Sequence, residues 1–375
     1  MMFIKLNNII MVLFLAFTWG QTVDWDSDIV KTSLLSYKAE LVSDGYVLPW
    51  GMSFLPDGDL IVSDISGKIY QIKNGINKKV SIRGIPQVFF RGQGGLLDIE
   101  VDPNFNENNF IYFSFSDIVR NTAFTSIARA QLINNRLINL KIIFKTDEIH
   151  YSSTPIHFGS RIVIDNEYIY FSIGDRGERE KAQNPQLPHG KIHRLYLDGT
   201  VPDDNPFLND SGENISVWCY GNRNPQGLAM SENGKLWELE HGPKGGDELN
   251  IIRKGINYGW PIITYGVNYD GTDISYITHK KGMEQPVWYW TPSIAVCGMK
   301  FYYGEPFKAW EGNILVTSLK FEYLERLVIL NGKKIDSEII YSPGSRVRDV
   351  EVGPEGNIYV ALEDPGRIVR LTRIY

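Results

Sequence analysis

Along most of the chain apolar and polar residues alternate with period two in short runs, and each run ends in a cluster of Gly, Pro, Asn or Asp. One unit recurs: a strand, a turn of Asp-Gly or Asn-Gly type, a second strand rich in Ile, Tyr and Val, then a further turn and strand. It is read at Trp50–Val62, at Leu97–Pro103 with Phe110–Phe115 behind it, and at Ser160–Asn166 followed by Tyr168–Ser172. It returns at Gln226–Trp237, at Gly298–Tyr302 with Trp310–Val316, and at Asp349–Val360. The spacing, roughly 45 to 70 residues, suits four strands plus variable loops. One four-stranded unit cannot bury both of its faces, whereas six packed around an axis cover one another and remove most exposed edges. The pattern therefore predicts an all-β, six-bladed β-propeller with four-stranded blades, one domain over residues 21–375, with few helices. A pair of β-sandwiches is the alternative, but it does not call for a sixfold repeat.

The first twenty residues break the pattern. Lys5 precedes the apolar run Ile9–Phe17, and Thr18-Trp19-Gly20 places small residues at the −3 and −1 positions of a cleavage site. This is the layout of a secretory signal peptide, with an uncleaved anchor as the alternative, and it predicts a periplasmic or secreted protein without membrane insertion of the mature chain. No Cys follows the run, which excludes a lipoprotein.

Composition narrows the class further. Lys and Arg number 38 against 44 Asp and Glu, a net charge of −6, which argues against a nucleic-acid partner. The 35 Gly, 18 Pro and 13% aromatic residues favour short strands and tight turns. The two cysteines, Cys219 and Cys297, either pair or remain buried thiols, and no Cys/His zinc spacing exists.

Propellers carry function on the loops at one mouth of the central channel. His157 opens the third copy and Asp175 ends its hairpin, so two antiparallel strands bring an imidazole and a carboxylate to the same rim. That pair makes a general base, or else a core histidine with a polar partner. Arg223, in Tyr220-Gly221-Asn222-Arg223-Asn224-Pro225-Gln226-Gly227, sits where it stabilises a developing oxyanion; a turn explains the glycines there but not the arginine. Glu240-His241-Gly242-Pro243-Lys244-Gly245-Gly246-Asp247-Glu248 combines an irregular backbone with hard oxygen ligands, which suits Ca²⁺ better than Zn²⁺ without being an EF-hand. Arg346 and Arg348 lie two apart on a strand and face the same way, so an anion must separate them, either a polyanionic ligand or carboxylates of the protein. Gln93, His157, Arg223, Lys320 and Arg346 each open an inner strand or close its hairpin, in five different copies. The long insertions Arg176–Ser216 and Lys254–Gln285, read as connections between blades, are candidates for walling a pocket at that mouth. A base, an acidic orienter and several cations there describe a site for an anionic cofactor.

These motifs resemble the soluble PQQ-dependent sugar dehydrogenases, in particular the aldose sugar dehydrogenase branch. The matching segments include Gly92–Leu97, His157–Arg161, Gly174–Gly177, Gly190–Arg194, Arg223–Gly227, Glu240–Pro243, Gly245–Asn250, Asn257–Pro261 and Arg346–Val350, in order across nearly the whole mature chain. The resemblance implies pyrroloquinoline quinone (PQQ) in the propeller mouth, held by Gln93, Arg223, Asn224, Lys320, Arg346 and Arg348, with Tyr269 as a further contact. It implies calcium on the Gly242 and Pro243 carbonyls and a second calcium using Glu248 and Tyr258. It makes His157 the base for the sugar's anomeric hydroxyl, Asp175 its support, and Arg223 the stabiliser of charge on the quinone oxygen. Two positions depart from the branch, Ile192-His193 and Cys297, and both bear on local packing alone.

Three readings follow. The favoured one is an exported PQQ- and calcium-dependent aldose dehydrogenase, oxidising the sugar at C1 to the lactone and passing electrons to an acceptor, as a monomer or homodimer. A non-catalytic binding or sensor propeller would have lost the base or the cations. A calcium-dependent lactonase would need converging carboxylates at the axis.

Overall fold

The computed structural model describes residues 29–73 and 78–375, so the expected signal peptide lies outside the described residues. Six antiparallel sheets are arranged as a propeller. Their first strands are Pro49–Phe54, Leu96–Val101, Ile162–Asp165, Pro225–Met230, Val296–Phe301 and Val347–Val352. Each packs against the next, and the sixth returns to the first, so these strands line the axis in a closed ring. They coincide with the six copies of the sequence repeat. Helices are few and short: among the described residues, one four-residue α-helix and three 3-10 turns.

The alternation in sequence becomes packing between blades. Ile61 and Ile69 of the first blade meet Ile99, Ile111 and Phe113 of the second in one buried cluster. Comparable clusters join the second and third blades, the third and fourth, the fourth and fifth, the fifth and sixth, and the sixth and first. Full burial of each such side chain is worth about 1.5–3 kcal/mol, so the blade interfaces carry the fold. Hairpin turns fall where the sequence places them: Gly58, Gly234 and Gly356 take φ of 87°, 71° and 82° after Asp57, Asn233 and Glu355, a region favourable to glycine.

The structure differs from the sequence reading in two ways. Ring closure uses the N-terminal strand Ser36–Tyr46, which pairs with the last strand, Gly366–Ile374, and completes the sixth blade. Tyr37 on that strand is fully buried and donates its hydroxyl to the Ile340 carbonyl of the fifth blade. Pairing across more than three hundred residues leaves no local pattern. The two long insertions, moreover, are not connections between blades. Arg176–Ser216 contains the third strand of the third blade, Lys191–Tyr196, and Lys254–Gln285 joins the last two strands of the fourth, Asp247–Ile252 and Trp288–Trp290. Each still reaches the site.

Candidate active site

His157 precedes the inner strand of the third blade and Asp175 follows its neighbour, Tyr168–Ile173. The hairpin delivers both to one rim, where His157 Nδ1 lies 2.6 Å from Asp175 Oδ1. The approach to His157 is a contorted segment. His157, Gly159 and Ser160 have φ of 55°, 63° and 92°, which costs about 1–3 kcal/mol at a non-glycine residue unless neighbours fix it. Here they do. The His157 N–H donates to Gln93 Oε1 at 2.7 Å, and the Gly159 N–H to Asn224 Oδ1 at 3.1 Å. Arg176, fully buried, covers the Phe158 ring at 3.5 Å and donates to the carbonyls of Thr154 and Ile156. Gly174 lies against the His157 backbone so closely that a Cβ there would sit 2.3 Å from the His157 carbonyl oxygen.

The pair is arranged as a base and its orienter. Asp175 is buried; its Oδ1 also accepts the Gly177 N–H at 2.8 Å, and its Oδ2 accepts the Trp260 indole N–H at 2.8 Å. Burial pulls the carboxyl upward, but the hydrogen bond and charge of His157, the Arg223 guanidinium and the Gly177 N–H together hold it below the ordinary carboxylate range. Burial pushes His157 below the ordinary histidine value, with Arg223 and Arg176 acting in the same direction and Asp175 opposing. At neutral pH His157 is therefore a neutral imidazole beside an ionised carboxylate. Nδ1 carries the proton toward Asp175, and Nε2 has no protein partner among the described residues.

Arg223 and Asn224 start the fourth blade beside this pair. The Arg223 carbonyl accepts the Asp175 N–H at 2.7 Å, and its own N–H donates to Glu240 Oε2 at 2.6 Å. Its Nη1 donates to the carbonyls of His241 at 2.9 Å and Gly242 at 3.1 Å, and the guanidinium faces the Trp260 ring at 5.4 Å.

Across the channel, one carboxylate separates the two late arginines. Glu363 Oε1 accepts from Arg348 Nε at 2.7 Å, and Glu363 Oε2 from Arg346 Nε at 2.9 Å. Of the two anions left open by the sequence, the protein's own is thus present. Gln93, Asn224, Gln226, His241, Arg346, Arg348 and Glu363 share one cavity of about 270 Å³ at the channel mouth. His241 Nε2, buried, has no partner there, and the ring is driven down to about 3 by burial first and by Arg223 and Arg348 next, so it stands neutral.

Other predicted residues lie further out. Lys320 is exposed, its ammonium 5.1 Å from the Phe321 ring. Tyr269 is 72% exposed on the hairpin between Asn268 and Thr272. Neither makes a hydrogen bond to the His157 cluster. Gly242 offers a carbonyl that Arg223 occupies, while the Pro243 carbonyl accepts no hydrogen bond among the described residues. Glu248 is buried and raised to about 7 by burial, with Asn250 as a partner at 3.3 Å. The Tyr258 hydroxyl is committed, donating to Ile251 O at 2.6 Å and accepting the Arg253 N–H at 2.9 Å, so it is not free to ligate a metal. Among the described residues no three His, Cys, Asp or Glu side chains are grouped to hold an ion. Cys219 and Cys297 are buried free thiols, and the Cys297 sulfur lies 3.3 Å from Arg348 Nη1.

Two residues in contact with the predicted site residues escaped the sequence reading. Trp260, inside a quoted motif, carried no assigned role. Glu363 was recoverable by counting: the Gly353–Gly356 turn pairs Val352 with Ile358 and Val347 with Leu362, which puts Glu363 beside Arg346.

The model of the glucose/sorbosone dehydrogenase family matches residues 46–370. The aldose sugar dehydrogenase YliI of Escherichia coli is 36% identical over 344 residues, covering 89% of this chain and 92% of its own. The crystal structure of the soluble aldose sugar dehydrogenase from E. coli in the apo-form superposes with a TM-score of 0.85 at 34% identity, covering 90% of this chain and all of that one. The PQQ-bound form of the aldose sugar dehydrogenase from Streptomyces coelicolor gives 0.72 at 26% identity, covering 90% and 98%. The match takes in the inner strands of all six blades and every residue of the site described above, and this chain belongs to the glucose/sorbosone dehydrogenase family.

Proposed function

We propose that this protein is a PQQ-dependent aldose dehydrogenase that oxidises a sugar at C1 to the lactone, with His157 as general base. The single observation that carries this reading is the His157–Asp175 contact at 2.6 Å, beside Arg223 and on the rim of a mouth lined by Asn224, Arg346 and Arg348. The residues present fit the cofactor. Two guanidinium groups, Arg346 and Arg348, share a single carboxylate, Glu363, and the amide nitrogens of Gln93 and Asn224 have no protein partner among the described residues. The orphaned His241 Nε2 offers a further polar atom to a planar, oxygen-rich ligand.

When bound, PQQ supplies the two-electron oxidant that takes up the C1 hydride. The chain's own part is the proton. Nε2 of His157 accepts the proton of the anomeric hydroxyl as the C1–O bond becomes a carbonyl, so the sugar loses one hydride and one proton and leaves as the lactone. Asp175 holds the Nδ1–H and stabilises the imidazolium that forms. Arg223, itself buried, offers fixed positive charge where negative charge grows. Calcium belongs to the same reading, on the carbonyls of Gly242 and Pro243, with a second ion near Glu248 and Tyr258. So does export, guided by residues 1–20, with electrons leaving to an acceptor outside the cytoplasm.

The test is reconstitution of the purified protein with PQQ and Ca²⁺, followed by glucose-dependent dye reduction, alongside His157→Ala. Activity needing both additions and falling by about 10²–10⁴ in the variant supports the reading. Binding of PQQ without turnover on a panel of aldoses would remove the substrate class, and failure to bind PQQ would favour a non-catalytic propeller.

A further inference from the structure

Trp260 lies in the long excursion of the fourth blade, 85 residues from Asp175 in sequence, yet it supplies the one donor to Asp175 Oδ2 among the described residues, at 2.8 Å. Its own position is fixed independently of that bond. The Trp260 N–H donates to the Gly221 carbonyl at 2.8 Å, and its carbonyl accepts from Gln183 Nε2 at 2.7 Å. Arg223 and Arg179 face its ring at 5.4 and 5.8 Å. A buried tryptophan needs some acceptor for its N–H, but here the acceptor is the second oxygen of the carboxylate that binds the proposed base.

We propose that Trp260 is a positioning residue of the reaction: its indole N–H fixes Asp175 Oδ2 and draws off part of the carboxylate's charge, limiting the pull of Asp175 on the His157 Nδ1–H. The inference rests on the reading of His157 as base. A carboxylate stripped of one donor is a stronger acceptor for the remaining one and stabilises the imidazolium more. His157 would then stay protonated to higher pH and begin the reaction already loaded. The other charged and titratable groups facing His157 are Arg223, Arg176 and His241, and a substitution at Trp260 leaves all three in place.

The experiment is Trp260→Phe, which keeps an aromatic ring beside Arg223 and Arg179 and removes the N–H together with the five-membered ring that carries it. The His157 midpoint is read by ¹⁵N NMR of the imidazole in the protein without added cofactor, and the acid limb of kcat/KM is read after reconstitution. We expect both to move up by about 0.5–1 pH unit together. An unchanged or lowered His157 midpoint overturns the proposal. If the variant does not fold, the wild-type protein decides: the Trp260 indole resonance should titrate with the His157 midpoint and lose that titration in Asp175→Asn. An indole signal indifferent to His157 also overturns it. The NMR readouts do not depend on turnover. Should His157→Ala keep its activity, the base assignment would fail by itself, whatever the NMR coupling shows.

Discussion

Arg348 donates from Nε to Glu363 Oε1 at 2.7 Å, so this buried guanidinium is already neutralised by the protein. Glu363 holds Arg346 with its other oxygen, and Arg348 is buried while Arg346 is half-exposed. The mouth is thus prepared for an anion without carrying two bare adjacent charges, and the carboxylate regulates how strongly it attracts one.

Glu363→Gln should therefore separate stability from anion affinity. Without ligand the two guanidinium groups lose their counter-charge, and breaking a mostly buried pair from one side costs about 2–4 kcal/mol. Added PQQ replaces the missing negative charge. Thermal unfolding with and without PQQ checks this: the variant should melt lower alone and gain more from the cofactor than the wild type gains. An equal gain in both proteins would show that the cofactor's charge does not reach these arginines.

Gly174→Ala tests the backbone of the site. The added Cβ would meet the His157 carbonyl at 2.3 Å and Asn224 Oδ1 at 2.9 Å. Neither can withdraw without disturbing the left-handed turn at His157 or the bond to the Gly159 N–H. Overpacking of this kind costs about 1–3 kcal/mol. Turnover should fall by more than the loss of folded protein explains, measured as kcat per folded site after a denaturation curve. Normal kcat in the folded fraction would mean that His157 tolerates displacement.

What the sequence made legible, and what it did not, follows from the range of each interaction. The six inner strands were readable because period-two alternation and Asp-Gly turns are local. His157 and Asp175 were readable because a single hairpin joins them, and Arg346 and Arg348 because they are two apart. The closing strand Ser36–Tyr46, the Trp260–Asp175 bond and the grouping of Asp98, Arg161 and Asp349 depend on partners brought together by the closed ring. No short-range pattern encodes them. Tyr269, carried over by family resemblance, and Lys320, read also from its place at the end of an inner-strand hairpin, are exposed at the rim, where neither motif nor register fixes the side chain's contacts.

That charged grouping continues down the axis and yields a pH prediction. Arg161 bridges Asp98 and Asp349, both at 2.9 Å, and Lys300 holds Glu351 at 2.6 Å, leaving Glu100 with Ser53 at 3.1 Å. Four carboxylates share two cations. Burial first, with Glu351 and Asp98 adding to it against the pull of Lys300, raises Glu100 to about 8. In the unfolded chain the same group titrates near an ordinary glutamate, about 4.3. The folded state thus binds the extra proton between those values, and its contribution to stability, full at low pH, is lost as pH rises through about 8. Glu100→Gln mimics the protonated form at every pH. Urea unfolding should find it close to wild type at pH 5 and more stable by about 1–3 kcal/mol at pH 9. A difference that does not change with pH would remove the assignment.

At the proposed calcium site, the ion and Arg223 would compete for one atom. Arg223 Nη1 donates to the Gly242 carbonyl at 3.1 Å, and that carbonyl is one of the two proposed to hold the ion. A cation arriving there meets a guanidinium on the same oxygen, with like-charge repulsion added to the loss of the hydrogen bond. Without an anionic cofactor to draw the arginine away and offset the charge, Ca²⁺ should bind this carbonyl pair poorly. Two consequences can be measured by calorimetry. In the wild-type protein, Ca²⁺ affinity should rise at least about tenfold when PQQ is present, the equivalent of about 1.4 kcal/mol of coupling. In Arg223→Gln, which removes the charge and keeps a polar side chain, Ca²⁺ alone should bind at least about tenfold more tightly than it does to the wild type. Chelation with EGTA should then release PQQ from the wild-type protein, by reciprocity of the same coupling. If Ca²⁺ affinity is indifferent both to PQQ and to Arg223, the ion does not use the Gly242 carbonyl, and the site near Glu248 becomes the place to look for it.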